Sequence, residues 1–183
     1  MTRESFMEVY SNIKREGADK LLAWLEGSDF FTAPASTRYH GSHPGGLLDH
    51  SLNVYHRLKY LVETCWPDAN PPSDETIAIV SLLHDLCKVN FYSVEYRNRK
   101  NESGQWEQYP FYVVEDQLPY GHGEKSVYIL SGFMKLSREE AFAIRFHMGD
   151  YTDQNTSKAY RMFPLALLLH QADEQATSFD DRV

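Results

Sequence analysis

Apolar residues recur at helical spacing from the start of the chain: Phe6, Val9, Tyr10 and Ile13, then Leu21, Leu22, Trp24 and Leu25. Such a period puts a hydrophobic stripe on one helix face, so residues 5–26 are expected to be helical with a break at Gly17. Residues 28–46 carry Gly, Pro and Ser and read as a loop. The helical pattern returns from Gly46 to Cys65 and stops at Trp66-Pro67, because a residue before proline is pushed out of the helical region. Pro71-Pro72 supply a turn, and Ser73 or Asp74 an N-cap for a helix expected to run through Val89. From Phe91 to Tyr96 the chain is aromatic and β-prone; Asn101-Glu102-Ser103-Gly104 is a turn cluster, and Trp106 to Val114 is β-prone again. That is a hairpin signal. Helical spacing resumes over 124–134, 138–147 and 158–179. With no repeat, low-complexity tract or linker, the expectation is one all-α domain over 1–183. It is a helical bundle with one β-hairpin inserted at about 91–114.

Composition narrows the class. A chain of 183 residues can bury a real core. No run of about 18 apolar residues is present to span a membrane, and Met1-Thr2-Arg3-Glu4-Ser5 lacks the apolar stretch of a secretory signal. Cys65 and Cys87 are too few for a disulfide framework. A cytoplasmic protein is therefore expected, with Asn101 and Asn155 as chance glycosylation matches. A net charge of −8 argues against an extended nucleic-acid surface, since that affinity comes from Lys and Arg on phosphates. A small phosphorylated ligand stays open, because a metal or a local cation cluster can overrule the global charge. The unusual feature is eight histidines, most of them beside Gly, Asp or Lys.

On the expected helix through residue 84, a step of about 100° per residue puts Lys88 about 40° from His84, between His84 and Asp85. Ala78 and Ser81 share that arc, while Ile79, Leu82, Leu83 and Leu86 lie opposite. Burying an imidazole, a carboxylate and an ammonium together is costly without partners. A metal ion would pair the first two and a phosphate the third. A divalent ion needs further ligands from other helices. His50 and Asp173 qualify among small and apolar neighbours, and His122 and His147 also sit in tight contexts.

The order His50, His84-Asp85, Asp173 resembles the His…His-Asp…Asp signature of the HD superfamily of metal-dependent phosphohydrolases. His84-Asp85-Leu86-Cys87-Lys88 is similar to its His-Asp-x-x-Lys form, and Gly45-Gly46-Leu47-Leu48-Asp49-His50 to the first-histidine segment of several members. The resemblance covers about residues 39–179 and leaves the helices of 5–26 outside that core. It implies an HD-domain-like all-α fold in which His50, His84, Asp85 and Asp173 bind one metal. In members with two metals, two histidines between the His-Asp pair and the last Asp serve the second, and His122 and His147 occupy that interval. The Gly-Tyr-Pro signature of the cyclic-dinucleotide phosphodiesterases is not in the chain.

The reading is an enzyme that hydrolyses a phosphoester, of a nucleotide or another small phosphorylated molecule, by metal-activated water. Its cofactor is one or two divalent ions, with Mn, Fe, Ni, Co, Zn and Mg all open. Asp85 and Lys88 are the catalytic candidates; His43, Lys125 and Arg145 are candidates for the substrate. His40 is expected to be exposed, His170 to support a ligand from outside, His56 and Cys65 to be structural, and Cys87 to pack in the core. The hairpin aromatics are expected to pack on the bundle, with stacking on a base as the other option. Gly41 to Gly46 is not a P-loop, since no Gly-Lys-Ser/Thr follows. Two rivals are a nucleotide-binding regulatory module without turnover and a diiron oxygenase on the same fold.

Overall fold

The computed structural model describes residues 1–149 and 152–181. Its elements run α1 (Arg3–Tyr10), α2 (Ala18–Gly27), α3 (Gly46–Cys65), α4 (Asp74–Leu83), β1 (Tyr92–Lys100), β2 (Trp106–Val114), α5 (His122–Ser131), α6 (Arg138–Phe146), α7 (Gln154–Met162) and α8 (Pro164–Gln175). This is the expected helical fold with one inserted hairpin. Helix starts follow capping chemistry. Thr2 accepts from Ser5 N–H and Ser73 from Thr76 N–H, while Ser137 and Glu140 form a capping box.

Two expected helices are shorter than their patterns. The helix toward Val89 stops at Leu83: Asp85 leaves the helical region (φ −103°, ψ 24°), and residues 86–88 form a 3₁₀ turn. Aspartate competes for local backbone groups and disfavours helix interiors. The regular angular step therefore fails between His84 and Lys88, and the turn, closed by Lys88 N–H to Asp85 O at 2.9 Å, replaces it. The span 158–179 divides at Phe163-Pro164. Phe163 is extended (φ −134°, ψ 93°), and Pro164 starts α8 where its missing N–H costs nothing. A π-helical turn over Ala176–Asp180 follows.

The core sits between α3, α4, α6 and α8, with Leu47, Leu52, Leu58, Ile79, Leu82, Leu83 and Leu130 fully buried. Phe6, Leu21 and Leu25 bring α1 and α2 into the same core. Arg15 anchors that segment to α6 through Glu140 at 2.6 and 2.9 Å. The hairpin pairs Tyr92 with Val114 and Lys100 with Trp106. Its base packs on the bundle, where Tyr92 donates to Ala35 O at 3.3 Å, but contrary to expectation its outer part stands off: Tyr96 and Trp106 are 69% and 70% exposed. Its other face is covered by its own cations, Arg97 over Phe111 at 3.6 Å and Arg99 over Tyr109 at 4.9 Å, so it needs no helix against it. Among the described residues no helix is long and apolar enough to cross a membrane.

Candidate metal centre

Five helices and two turns deliver polar side chains to one point inside the apolar core. α3 supplies His50, the end of α4 supplies His84 and Asp85, and the 3₁₀ turn supplies Lys88. α5 opens with His122, α6 ends at His147, α8 carries Asp173, and Asp181 follows the π turn. All but the half-buried His122 are buried, and His84 and His147 are wholly inaccessible. His84, His122 and His147 stand at helix ends, while His50 and Asp173 reach the centre from within α3 and α8.

The Asp85 carboxylate is the centre, and its two oxygens face different groups. Oδ2 lies 2.6 Å from Lys88 Nζ, 3.5 Å from His84 Nε2 and 3.6 Å from His50 Nε2. Asp173 Oδ1 joins that side, 3.1 Å from His50 Nε2. Oδ1 lies 2.7 Å from His122 Nε2 and 3.5 Å from His147 Nε2. Three sets of potential ligand atoms lie within 4.8 Å of one another: His50, His84 and Asp173; His84, Asp85 and His147; and Asp85, Cys87 and His122.

The outer ring nitrogens decide what the inner ones offer. His84 Nδ1 donates to Ser81 O at 2.8 Å and His147 Nδ1 to Ile144 O at 2.7 Å. Carbonyls only accept, so each inner Nε2 carries a bare lone pair. His50 Nδ1 donates to Asp181 at 2.6 Å, and Asn53 holds the other Asp181 oxygen at 2.7 Å. His50 and His84 then meet Nε2 to Nε2 at 3.2 Å. Two lone pairs at that distance repel unless a proton or a cation lies between them. His147 Nε2 is buried with no hydrogen-bond partner among the described residues, an exception that calls for a ligand. Converging lone pairs with two carboxylates, each imidazole held from behind, make a donor set that fits a divalent ion.

Protonation tells the same story. Burial disfavours a charged His50, but Asp173 and Asp181 outweigh it and raise its pKa to about 9. Burial pushes His84 down to about 3. The ion-free centre thus carries a proton on His50 beside a neutral His84. Burial opposes ionisation of Asp85, yet Lys88, His84 and His122 hold its carboxyl well below the usual range. Burial raises the Cys87 thiol to about 12 and the Tyr92 phenol, beside Lys88, also to about 12.

Of the residues singled out in the sequence, His50, His84, Asp85, Lys88, His122, His147 and Asp173 come together, and three do not. His43 is exposed, its Nδ1 near Pro44 O at 3.1 Å and its Nε2 4.0 Å from Asp49. Lys125 is buried over the Phe91 ring and paired with Asp116. Arg145 pairs with Glu124 at 2.5 Å. His170 sits one layer out, donating to His147 O at 2.8 Å. His56 and Cys65 are at the surface.

Sequence reasoning missed three neighbours. His40 is half-buried rather than exposed, its ring 5.2 Å from that of His50, and only the loop's proximity to His50 in the chain hinted at this. Asp181 lies in an acidic tail with no local signal. Cys87 touches His122 rather than only apolar neighbours, with Sγ 3.4 Å from both ring nitrogens. Its place between Asp85 and Lys88 was the available clue.

The family model for the HD domain matches residues 47–177, a stretch that includes every residue of the cluster except Asp181. No curated protein and no solved structure matches the chain.

Proposed function

The chain belongs to the HD domain family, whose members are generally metal-dependent phosphohydrolases, and from that membership we propose that it hydrolyses a phosphoester of a nucleotide or another small phosphorylated molecule. The observation that carries this reading is the two-sided Asp85. Each of its oxygens faces its own set of imidazole nitrogens, and a buried ammonium lies beside one of them.

His50, His84, Asp173 and Asp85 Oδ2 would hold one ion; His122, His147 and Asp85 Oδ1 would hold a second. Bound there, divalent ions supply a water of lowered pKa and polarise phosphoryl oxygens. The chain's own groups do the rest. Asp181 and Asn53 orient His50, while Ser81 O and Ile144 O fix the tautomers of His84 and His147. Lys88 neutralises Asp85 across 2.6 Å and is the cation placed to offset charge growing on a phosphoryl group. In a water-poor site that interaction is strengthened. His40 and Tyr92 flank it and can contact the substrate. A small substrate suits a chain of net charge −8 whose cation at the site is single and local.

Metal analysis of the purified protein, joined to a screen of phosphomonoesters and nucleotides, tests this. A transition metal at up to two ions per chain and phosphate release are expected, and Asp85→Ala should lose both. His122→Ala and His147→Ala should each lower the stoichiometry toward one. An Asp85→Ala protein with full metal and activity refutes the reading.

A further inference from the structure

Cys87 is a buried cysteine in polar company. Its Sγ lies 3.4 Å from each ring nitrogen of His122 and 3.9 Å from Asp85 Oδ1. Its own N–H donates to Ser126 Oγ at 3.0 Å, which pins the 3₁₀ turn to α5 and holds the thiol at the start of that helix. A tetrahedral site with a metal–sulfur bond of about 2.3 Å and a metal–nitrogen bond of about 2.0 Å has a sulfur–nitrogen edge of about 3.5 Å. The observed sulfur–nitrogen spacing of 3.4 Å is close to that edge. Independently, the fully buried Nε2 of His147 has no hydrogen-bond partner among the described residues and lies 3.5 Å from the same Asp85 oxygen. Asp85 Oδ1 therefore gathers donors from two sides: Cys87 and His122 lie within 4.8 Å of it and of each other, and His147 approaches the same oxygen.

We infer that Cys87 is a ligand of the second ion, so that the Oδ1 side of Asp85 is a Cys-His-His-Asp site that selects zinc, cobalt or iron(II) over magnesium. This rests on the metal-binding reading above and adds to it. A thiolate is a soft ligand that hard cations decline, whereas the first site, built from imidazole and carboxylate alone, also suits a harder ion such as manganese. When the ion enters, the thiol proton is released to solvent and a thiolate–metal bond forms.

The full chain, stripped of metal by a chelator and kept reduced, is titrated with cobalt(II) while absorbance is recorded. The wild type is expected to show visible cobalt bands and, in the near ultraviolet, a thiolate-to-cobalt charge-transfer band that saturates at one thiolate per chain. Cys65→Ser keeps that band. Cys87→Ser loses it, retains visible bands from the remaining ligands, and binds its second cobalt at least roughly 10-fold more weakly, the minimum that loss of even an outer partner costs. Visible bands without the charge-transfer band in the wild type overturn the inference without recourse to any variant, and so does a band that survives Cys87→Ser. No cobalt uptake at all removes the metal-binding reading, and this inference with it.

Discussion

Lys88 and a divalent ion compete for the same carboxylate oxygen, because the ammonium lies 2.6 Å from Asp85 Oδ2 while His50 and His84 face that oxygen from 3.6 and 3.5 Å. Lys88→Met keeps the apolar stem and deletes the charge. With ions bound, the variant should fold normally and lose about 100-fold or more in kcat, the scale of one electrostatic donor; without ions it should lose several kcal/mol, about 3–5, because a buried carboxylate is left uncompensated. Kinetics and denaturation on the same preparations check both halves, and a wild-type kcat removes Lys88 from the chemistry. His50 carries a second prediction. Its pKa is raised to about 9, so the proton on it stabilises the ion-free fold fully below about pH 6.5, and that contribution is lost as pH rises through about 9. An ion needs the bare nitrogen. Metal uptake near pH 7.5 should therefore release a proton, seen as a binding heat that varies with the ionisation heat of the buffer, and affinity should fall as pH drops below about 9. The ligand candidates were legible because each polar residue interrupts an apolar or small-residue surface, as at His84-Asp85 after Leu82-Leu83. Asp181 was not, because the contact that gives it meaning spans 131 residues of chain.

At the scale of elements, the site depends on how closely α5 and α6 approach. A Cβ on Gly123 would lie 2.7 Å from Ile144 O and 2.3 Å from Arg145 O, and Ile144 O is the carbonyl that fixes the His147 tautomer. Gly123→Ala should therefore push His122 and His147 apart at a cost of about 1–3 kcal/mol. Metal stoichiometry should drop toward one, because the ligands on α3, α4 and α8 are untouched; an unchanged stoichiometry would mean that the two helices adjust freely. The helices themselves were legible from period and caps. Their interruptions were less so. Hydrophobic period runs unbroken across Leu82, Leu83 and Leu86, since the 3₁₀ turn still buries Leu86, and the pattern cannot register the change of backbone at Asp85. Pro164 was a signal of a boundary, masked by the apolar spacing on both sides of it. The hairpin's existence was readable from its aromatics, but the standing of its outer part clear of the bundle was not. The stacking of Arg97 and Arg99 on those rings is a cross-strand arrangement, visible only once the register is known.

For the whole molecule, the ligands come from α3, α4, α5, α6 and α8, so none of the partial folds of the chain contains the complete centre. That distribution sets a clock. Contacts between residues far apart in sequence close late on the way to the native state, and His50 must meet His84 across 34 residues and Asp181 across 131. An ion that recognises only the finished arrangement stabilises the native state and leaves the folding barrier alone. Saturating metal should thus slow unfolding by about tenfold for each roughly 1.4 kcal/mol of binding, with the refolding rate unchanged. Stopped-flow unfolding and refolding with and without metal measures both limbs; an ion that accelerated refolding equally would mean that the centre is already assembled at the barrier. The cluster at Asp85 would then act as a latch on the time axis, setting how long a folded molecule lasts and not how quickly it forms.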